Sequence, residues 1–433
     1  MQQQHDGGDR KVTERQKRRN QQFQNAVENF RSKQAPERLQ PKKHRWVTPL
    51  VLLLSVGIGL VLIFQMPSMF GEEQLSFVEV FSSVKPQNVL LAVGALAAIL
   101  LLDVCKYVVT LHATTRTLRP LVSVKTSLLG RYYDNITPFA SGGQPMQIYY
   151  LYTKGYSAGL SSAVVMIKYF FNTTAWLAVA FVAMVCNKQV LSPVSNGNVL
   201  LIAGWTGWAL NMCVPVFMVL FVAMPKLAKR ITAWIIHVGF KLKIVKNKEA
   251  AIHRALSAVR DFRSSFVIMA KRPLHLVLLT LCCILELSLS FAFPYFIIRM
   301  FNGLQTDAGF ATMFQVMALH AFASFAASVV PTPGNSGALE GLITTAFSSI
   351  AGATLMWVIF TWRFSVYYIY ILIGVGITAF NLVRNVVRSR RAKKQSAQAQ
   401  SVTQTSSADE EAADGVGQTA TEREQAAPTR EGE

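Results

Sequence analysis

Residues Leu121 to Tyr152 read L-V-S-V-K-T-S-L-L-G-R-Y-Y-D-N-I-T-P-F-A-S-G-G-Q-P-M-Q-I-Y-Y-L-Y, an apolar stretch interrupted at its centre by Thr137-Pro138-Phe139-Ala140-Ser141-Gly142. Proline removes a backbone donor and glycine weakens helix, so the stretch predicts two half-helices meeting at a break rather than one continuous span. A second apolar stretch, Ala308 to Ile350, is interrupted at Thr332-Pro333-Gly334-Asn335-Ser336-Gly337. The two breaks align without a gap, and both read T-P-x-x-S-G.

Around these stretches lie six apolar blocks long enough to cross a hydrocarbon core of about 30 Å. They are roughly Trp46 to Gln65, Asn88 to His112, Leu160 to Cys186, Val199 to Met224, Pro273 to Ile298 and Thr354 to Val383. The whole chain of 433 residues is 52% hydrophobic and only 15% charged, with a mean hydropathy of +0.32. Soluble domains carry roughly 25% charge, so the expected solvent of this chain is a bilayer.

The formal charge of +20 raises the question of nucleic acid, and the placement of the Lys and Arg residues answers it. Twelve precede Trp46, twelve lie between Lys226 and Arg272, and six lie between Arg384 and Lys394. These are the edges of the apolar blocks, and the positive-inside rule places all three basic regions in the cytoplasm. The N-terminal arm offers only Phe23 and Phe30 as stacking aromatics, so anionic lipid is a better partner for it than nucleic acid. If either broken stretch crossed the membrane once, the basic regions would fall on opposite sides. Each is therefore expected to be a re-entrant hairpin, the first opening to the cytoplasm and the second to the outside. The order helix, helix, hairpin, helix then occurs twice with opposite orientation. The expected fold is an all-α polytopic membrane bundle of six spanning helices and two re-entrant helical hairpins in an inverted repeat. Its expected location is a bacterial-type inner membrane with both termini in the cytoplasm.

Three segments flank or divide this domain of residues 46–387. Residues 1–45 form a basic arm without a core-forming apolar stripe, expected to be mobile, and no small-x-small cleavage site follows Phe64. Residues 388–433 are basic and then disordered in composition. Residues 225–272 link the halves, with Ile231, Trp234, Ile235, Val238 and Leu242 three or four apart among cations. That stripe suits a helix on the membrane surface and equally one packed beneath the bundle. The five cysteines have no second Cys or His at metal-ligand spacing and are expected to be packing residues. No cofactor is expected.

Broken helices leave backbone groups unpaired at membrane depth, which protein, cavity water or a ligand must satisfy. Half-helix N-termini at the breaks would suit a phosphate or carboxylate. A headgroup or solute site is expected from Thr137, Ser141, Gly142, Gly143, Gln144, Thr332, Ser336, Gly337, Glu340 and Arg363; the plainer reading is a pair of helix kinks. Ionisable residues within apolar blocks cost about 2.5 to 3.5 kcal/mol each and need partners. Asp103 and Lys106, three apart, suit a self-neutralising pair. Glu340 follows the second break, with Arg363 or Lys168 as its expected partner, and Asp134, Lys168 and Glu286 are further candidates for a polar pathway. His320 is expected to be a hydrogen-bonded packing residue.

H-E-x-x-H, G-x-x-x-x-G-K-S/T and G-x-G-x-x-G are all absent, and Gly334-Asn335-Ser336-Gly337-Ala338 misses the G-x-S-x-G nucleophile elbow. With no nucleotide-binding motif, any movement of a bound headgroup or solute is expected to run down a gradient or be coupled to ions, with Glu286 or Glu340 as the expected proton carriers.

The segment Gly130 to Lys154, G-R-Y-Y-D-N-I-T-P-F-A-S-G-G-Q-P-M-Q-I-Y-Y-L-Y-T-K, and the later P-T-P-G-N-S-G-A-L-E followed by Arg363 resemble the two signature regions of the lysylphosphatidylglycerol synthetase transmembrane, or flippase-like, family. The resemblance spans approximately Trp46 to Val387. It implies a membrane domain that moves aminoacylated phosphatidylglycerol between leaflets, with lysyl transfer from lysyl-tRNA performed by a separate soluble domain. This sequence departs from the family in reading Gly143-Gln144-Pro145 where many members have G-E. About 40 polar residues follow the last helix, so aminoacyl transfer by this chain alone is not expected. The resemblance leaves three readings: a phospholipid flippase, a phosphatidylglycerol lysyltransferase working with a partner synthetase in resistance to cationic antimicrobial peptides, and a secondary transporter of another lipid-linked or organic anion.

Overall fold

The computed structural model describes residues 77–377, apart from 83, 195–196, 242–251, several positions between 253 and 265, 302–308 and 333. The basic arm, the expected span Trp46 to Gln65 and the C-terminal tail lie outside the described residues, as does Leu242. The described residues belong to one compact unit, Ser55–Glu433.

Every regular element described is helical: α1 (Phe77–Ser82), α2 (Pro86–Thr115), α3 (Pro120–Ile136), α4 (Gly143–Thr153), α5 (Ala158–Cys186), α6 (Gly197–Ala223), α7 (Pro225–Lys241), α8 (Pro273–Met300), α9 (Phe310–Ala327), α10 (Ala338–Ala351) and α11 (Leu355–Arg363). From α11 the chain continues through a π-helical turn at Phe364–Tyr368 and further helix to residue 377. Helix starts follow local chemistry. Proline opens α2, α3 and α8, where its missing N–H costs nothing, and Ser157 Oγ accepts from Leu160 N to cap α5. Helix α2 stops at Arg116, which turns left-handed at φ 57° while its N–H reaches the His112 carbonyl.

By length and composition, six helices among the described residues are fit to cross a bilayer: Pro86–Thr115, Ala158–Cys186, Gly197–Ala223, Pro273–Met300, Phe310–Ala327 and the run Ala338–Ile377. Four coincide with spans read from the sequence and Ala338–Ile377 contains the described part of a fifth, while Trp46 to Gln65 lies outside the described residues and Phe310–Ala327 is added. Phe310–Ala327, expected as one arm of a hairpin, is uncharged and at 18 residues about 27 Å long, close to the hydrocarbon thickness. Ala338–Ile377 joins the other arm of that hairpin to the last expected span through the 3-10 turn Gly352–Thr354.

Helices α2 and α8 run antiparallel. His112 Nδ1 meets His275 Nε2 at 3.0 Å at one end, and Asn88 Nδ2 donates to the Arg299 carbonyl at 2.9 Å at the other. We call these the histidine end and the Asn88 end. Helix α6 lies parallel to α9, with Gly204 against Phe322, Gly207 against Phe325, and Asn211 Nδ2 donating to Ser328 Oγ at 2.9 Å. Small residues let two backbones approach where lipid supplies no hydrophobic drive for helix association. The outer surface is apolar: Leu274, Val277, Leu281 and Leu285 form an exposed stripe along α8, spaced three or four apart. This is the exterior of a multi-pass membrane protein.

Each broken stretch folds into two helices packed on one another, α3 with α4 and α9 with α10. Helix α3 starts just after α2 ends, and Leu151 of α4 packs with Leu111 of α2, so the first hairpin opens at the histidine end. Helix α9 packs beside the 3-10 turn Lys188–Leu191 that follows α5, so the second opens at the Asn88 end. Its break begins at Ser328, level with Asn211 near the middle of α6.

A Cβ on Gly207 would collide with the Phe325 carbonyl oxygen, whereas one on Gly94 of α2 would meet no atom within 4 Å. Gly207→Ala is expected to lower the thermal midpoint of the detergent-purified protein, by the equivalent of roughly 1–3 kcal/mol. Gly94→Ala should leave it unchanged or raise it slightly, by about 0.5–1 kcal/mol. Equal midpoints for the two variants would refute the proposed α6–α9 contact.

Candidate functional site

Two ionic clusters lie inside the bundle. The larger joins α2, α3, α5 and α8 around Asp103, Lys106, Arg131, Lys168 and Glu286. Lys106 Nζ lies 2.9 Å from Asp103 Oδ1 and 3.2 Å from Glu286 Oε2, and it donates to Asn172 Oδ1 at 2.6 Å. Arg131 bridges the same two carboxylates, with Nε 3.1 Å from Asp103 Oδ2 and Nη2 2.7 Å from Glu286 Oε1. Lys168 Nζ lies 3.3 Å from Asp103 Oδ1, and Ser127 donates to Asp103 Oδ2. Asp103, Lys106 and Glu286 are sealed from solvent, but the Arg131 and Lys168 side chains remain 28% and 16% exposed. Each of those two cations also rests on an aromatic face, Arg131 on Tyr370 at 5.1 Å and Lys168 on Tyr107 at 5.0 Å.

The smaller cluster organises the second break. Arg363 Nη2 donates to Ser336 Oγ at 2.6 Å and to the Gly334 carbonyl at 2.9 Å. Its Nε lies 2.7 Å from Glu340 Oε1, close enough for an ion pair although the N–H is not aimed along that line. The guanidinium covers the Tyr367 ring at 4.3 Å. Glu340, at the third position of α10, uses its other oxygen to accept from Gly337 N at 2.8 Å, which satisfies an amide at the helix start.

The first break has a matching device from the other side of the turn. Asp134, near the end of α3, accepts from Gly143 N at 2.8 Å, and Thr137 Oγ1 accepts from Gly142 N at 2.8 Å. A Cβ on Gly143 would strike the Asp134 carboxylate, so glycine is what lets the carboxylate reach the helix start. The turn between carries Phe139 at φ 54° and Ala140 at φ 50°, a left-handed pair closed by Ser141 N donating to the Pro138 carbonyl at 3.3 Å. Neither residue is glycine, and the left-handed conformation costs roughly 1–2 kcal/mol for each. Strain of this kind persists only where surrounding structure enforces it.

The two breaks meet. Asn135 Nδ2 donates to the Tyr367 carbonyl at 3.3 Å, and a Cβ on Gly334 would lie 3.3 Å from the Asn135 carbonyl oxygen. Tyr367 belongs to the π-helical turn that follows Arg363, a local widening of the helix that is frequent at functional sites. Thr332 Oγ1 is buried at this junction and has no hydrogen-bond partner among the described residues.

The model of one protein family, described as the lysylphosphatidylglycerol synthase TM region, matches residues 52–374, well over half of the chain. The chain belongs to that family. No curated protein and no solved structure matches it.

Within this family member, the expected site residues divide by position. Thr332, Ser336, Gly337, Glu340 and Arg363 cluster at the second break. Thr137, Gly142, Gly143 and Asp134 form the first, with Gln144 half-buried beside them and Ser141 exposed and bonded to the Pro138 carbonyl. The expected trio of Glu340, Arg363 and Lys168 is not a unit: Glu340 pairs with Arg363, and Lys168 joins Asp103 instead. Asp103 and Lys106 do pair, but as part of a network spanning four helices rather than as a pair closed on itself. The half-helix amides expected to await an anion are taken at Gly142, Gly143 and Gly337 by Thr137, Asp134 and Glu340. His320 packs between Phe291 and Trp362, with Nδ1 3.2 Å from the Phe291 carbonyl oxygen. Arg131, Asn135 and Tyr367 were not singled out from the sequence. For Arg131 a signal existed, because an arginine in the middle of an apolar hairpin arm requires buried carboxylate partners.

Removing one charge from the larger network leaves its partners buried and uncompensated, which typically costs about 3–5 kcal/mol. Glu286→Gln is therefore expected to lower the detergent thermal midpoint sharply. The double variant Glu286→Gln/Lys106→Met removes one charge of each sign and should recover part of that loss. A double variant less stable than the sum of its single variants would show that charge balance is not what holds the four helices together.

Proposed function

We propose that this chain moves an anionic or aminoacylated phospholipid, such as lysylphosphatidylglycerol, between leaflets, binding its headgroup where the two hairpin breaks meet. The observation that carries this reading is the convergence of both breaks on Arg363, Glu340 and the π turn. Irregular backbone at membrane depth is tolerated where it lines a cavity or a ligand path, and paired broken helices are a recurrent way to build a transport site. In this reading the hairpins are re-entrant halves of an inverted repeat, and the histidine end faces the cytoplasm.

The chemistry suits a headgroup that carries both signs. Arg363 is held by Glu340, Ser336 and the Gly334 carbonyl, all acceptors that a lipid phosphate can replace. Displaced from Arg363, the Glu340 carboxylate becomes free to pair with the ammonium of an aminoacyl group. For the phosphate and one ammonium the exchange adds no net buried charge, which limits its cost in a low-dielectric interior; a second lysyl ammonium would stay in water. Thr332 Oγ1 supplies an open hydrogen-bonding position beside the phosphate. The partly exposed faces of Arg131 and Lys168 offer further positive charge along the approach. Acyl chains remain in the surrounding lipid, as the apolar exterior permits.

The family's description also ties the domain to lysyl-lipid synthesis. We assign lysyl transfer to a separate synthetase and its product to this chain. Thin-layer analysis after expression, with and without a soluble synthetase, is expected to show new lysyl lipid only with the synthetase; lysyl lipid made by this chain alone would reverse the assignment.

For translocation, outer-leaflet lysylphosphatidylglycerol is measured in cells that make the lipid and express the protein or its variants. Arg363→Ala and Glu340→Ala are each expected to cut outer-leaflet lipid at least about tenfold, the effect of one lost charge-assisted contact. Arg363→Lys should recover little, because a lysine cannot reproduce the three-way fork. Unchanged transport in both alanine variants would rule out the junction as the headgroup site.

A further inference from the structure

Helix α7 follows α6 after the single residue Met224. Phe221 and Val222 at the end of α6 pack into a cluster with Ala113 of α2 and with Met269, just before α8. Chain continuity therefore places α7 at the histidine end, where a spanning helix leaves the hydrocarbon. Lys226, Arg230, Trp234, His237 and Lys241 are four, four, three and four residues apart, which at 100° per residue confines them to an arc of about 80°. All five side chains are exposed, and the Trp234 indole is 65% exposed. Ile236, off this arc, is buried.

The surroundings carry the same sign. Arg116, Arg119, Lys154 and Lys271 are exposed at this end. The carboxylates among the described residues lie elsewhere: Glu79 in α1 is at the opposite end, and Asp103, Asp134, Glu286 and Glu340 are in the interior. A cationic stripe interrupted by one indole, at the depth where a span ends, complements a phospholipid interface. Tryptophan settles at headgroup level, and each Lys or Arg near an anionic surface strengthens attachment about fivefold. A single aromatic on a convex helix does not make a stacking platform for nucleic acid.

We propose that the exposed face of α7 is a docking surface for the anionic phospholipid headgroups of the adjoining leaflet, distinct from the site at the hairpin junction. It fixes α7, which opens the link between the two halves of the bundle, to the membrane surface and makes the protection of that helix depend on the anionic lipid content of the leaflet. The proposal holds whatever lipid or solute the junction carries.

The test is hydrogen exchange of the peptide covering α7 in the full-length protein, held in nanodiscs of phosphatidylcholine alone or with phosphatidylglycerol. Phosphatidylglycerol is expected to slow exchange at least about tenfold, and raised salt should reverse much of this by screening. Lys226→Gln/Arg230→Gln/Lys241→Gln should lose the protection, Lys226→Arg/Lys241→Arg should keep it, and Trp234→Ala should weaken it. Because these side chains are exposed, the variants should retain the wild-type thermal midpoint. Arg363→Ala, which disables the junction, should retain the α7 protection. Equal exchange in the two nanodiscs, or protection that survives the triple glutamine variant, would overturn the proposal. Protection produced in phosphatidylcholine nanodiscs by added RNA and not by phosphatidylglycerol would overturn it in favour of a nucleic-acid partner.

Discussion

The arrangement of the bundle depends on keeping its buried charges balanced. Among the described residues, Asp103, Asp134, Glu286 and Glu340 lie inside with Lys106, Arg131, Lys168 and Arg363, four carboxylates to four cations. In a medium that cannot solvate ions each needs a compensating partner: Asp103, Glu286 and Glu340 form ion pairs, all but Asp103–Lys106 between different helices, and Asp134 accepts from the Gly143 amide. Arg131 of α3 reaches Asp103 of α2 and Glu286 of α8 at once, so the first hairpin arm cannot shift along the bundle without breaking two buried ion pairs. Arg363 likewise fixes the second break to the last helix. Dispersion packing and small-residue contacts such as Gly207 against Phe325 then fill in around positions that the charges set.

The same constraint explains why the half-helix amides are covered. A helix start left open in hydrocarbon is costly, so the chain supplies its own carboxylates, Asp134 from before the first break and Glu340 from after the second. The two devices are alike in chemistry and differ in direction along the chain. A carboxylate that caps an amide is held less firmly than one locked between several cations, because an incoming phosphate presents the same charge to the same donor. Asp134 and Glu340 are thus exchangeable in a way that Asp103 is not: two cations chelate Asp103, a third lies beside it, and Ser127 donates to it.

Much of this was legible in the sequence. The apolar blocks gave the helices, Pro138 and the Gly142-Gly143 pair marked the first break, and the T-P-x-x-S-G match drew attention to the second. Glu340 and Arg363 stood out because charge within an apolar block is rarely idle. Partnership was less legible. Lys168 lies 65 residues from Asp103 and 172 from Glu340, and nothing in one dimension distinguishes the two as partners. Arg131 escaped notice because Tyr132, Tyr133, Asp134 and Asn135 follow it, making the segment look like the polar shoulder of the break rather than an apolar arm with a charge in it. That Phe310–Ala327 is long and apolar enough to cross a bilayer was obscured for a related reason. The break that follows it dominated the reading, although its own eighteen residues contain no charge.

The strained turn at Phe139 and Ala140 bears on how the junction works. Two consecutive left-handed residues without glycine hold about 2–4 kcal/mol that the native contacts must offset, and the turn caps the first arm beside the point where Asn135 meets Tyr367. Thr137 and Asp134 hold the turn from one side through Gly142 and Gly143, while the network at Arg131 anchors the arm beneath it. If a headgroup phosphate draws the Gly143 amide away from Asp134, one of those restraints is released and the strain favours reshaping of the turn. Under the proposed function, headgroup binding and reshaping of this turn are two sides of one equilibrium. A ligand can shift that equilibrium only by its difference in affinity for the two turn conformations, and the exchange of a carboxylate for a phosphate at the helix start supplies such a difference.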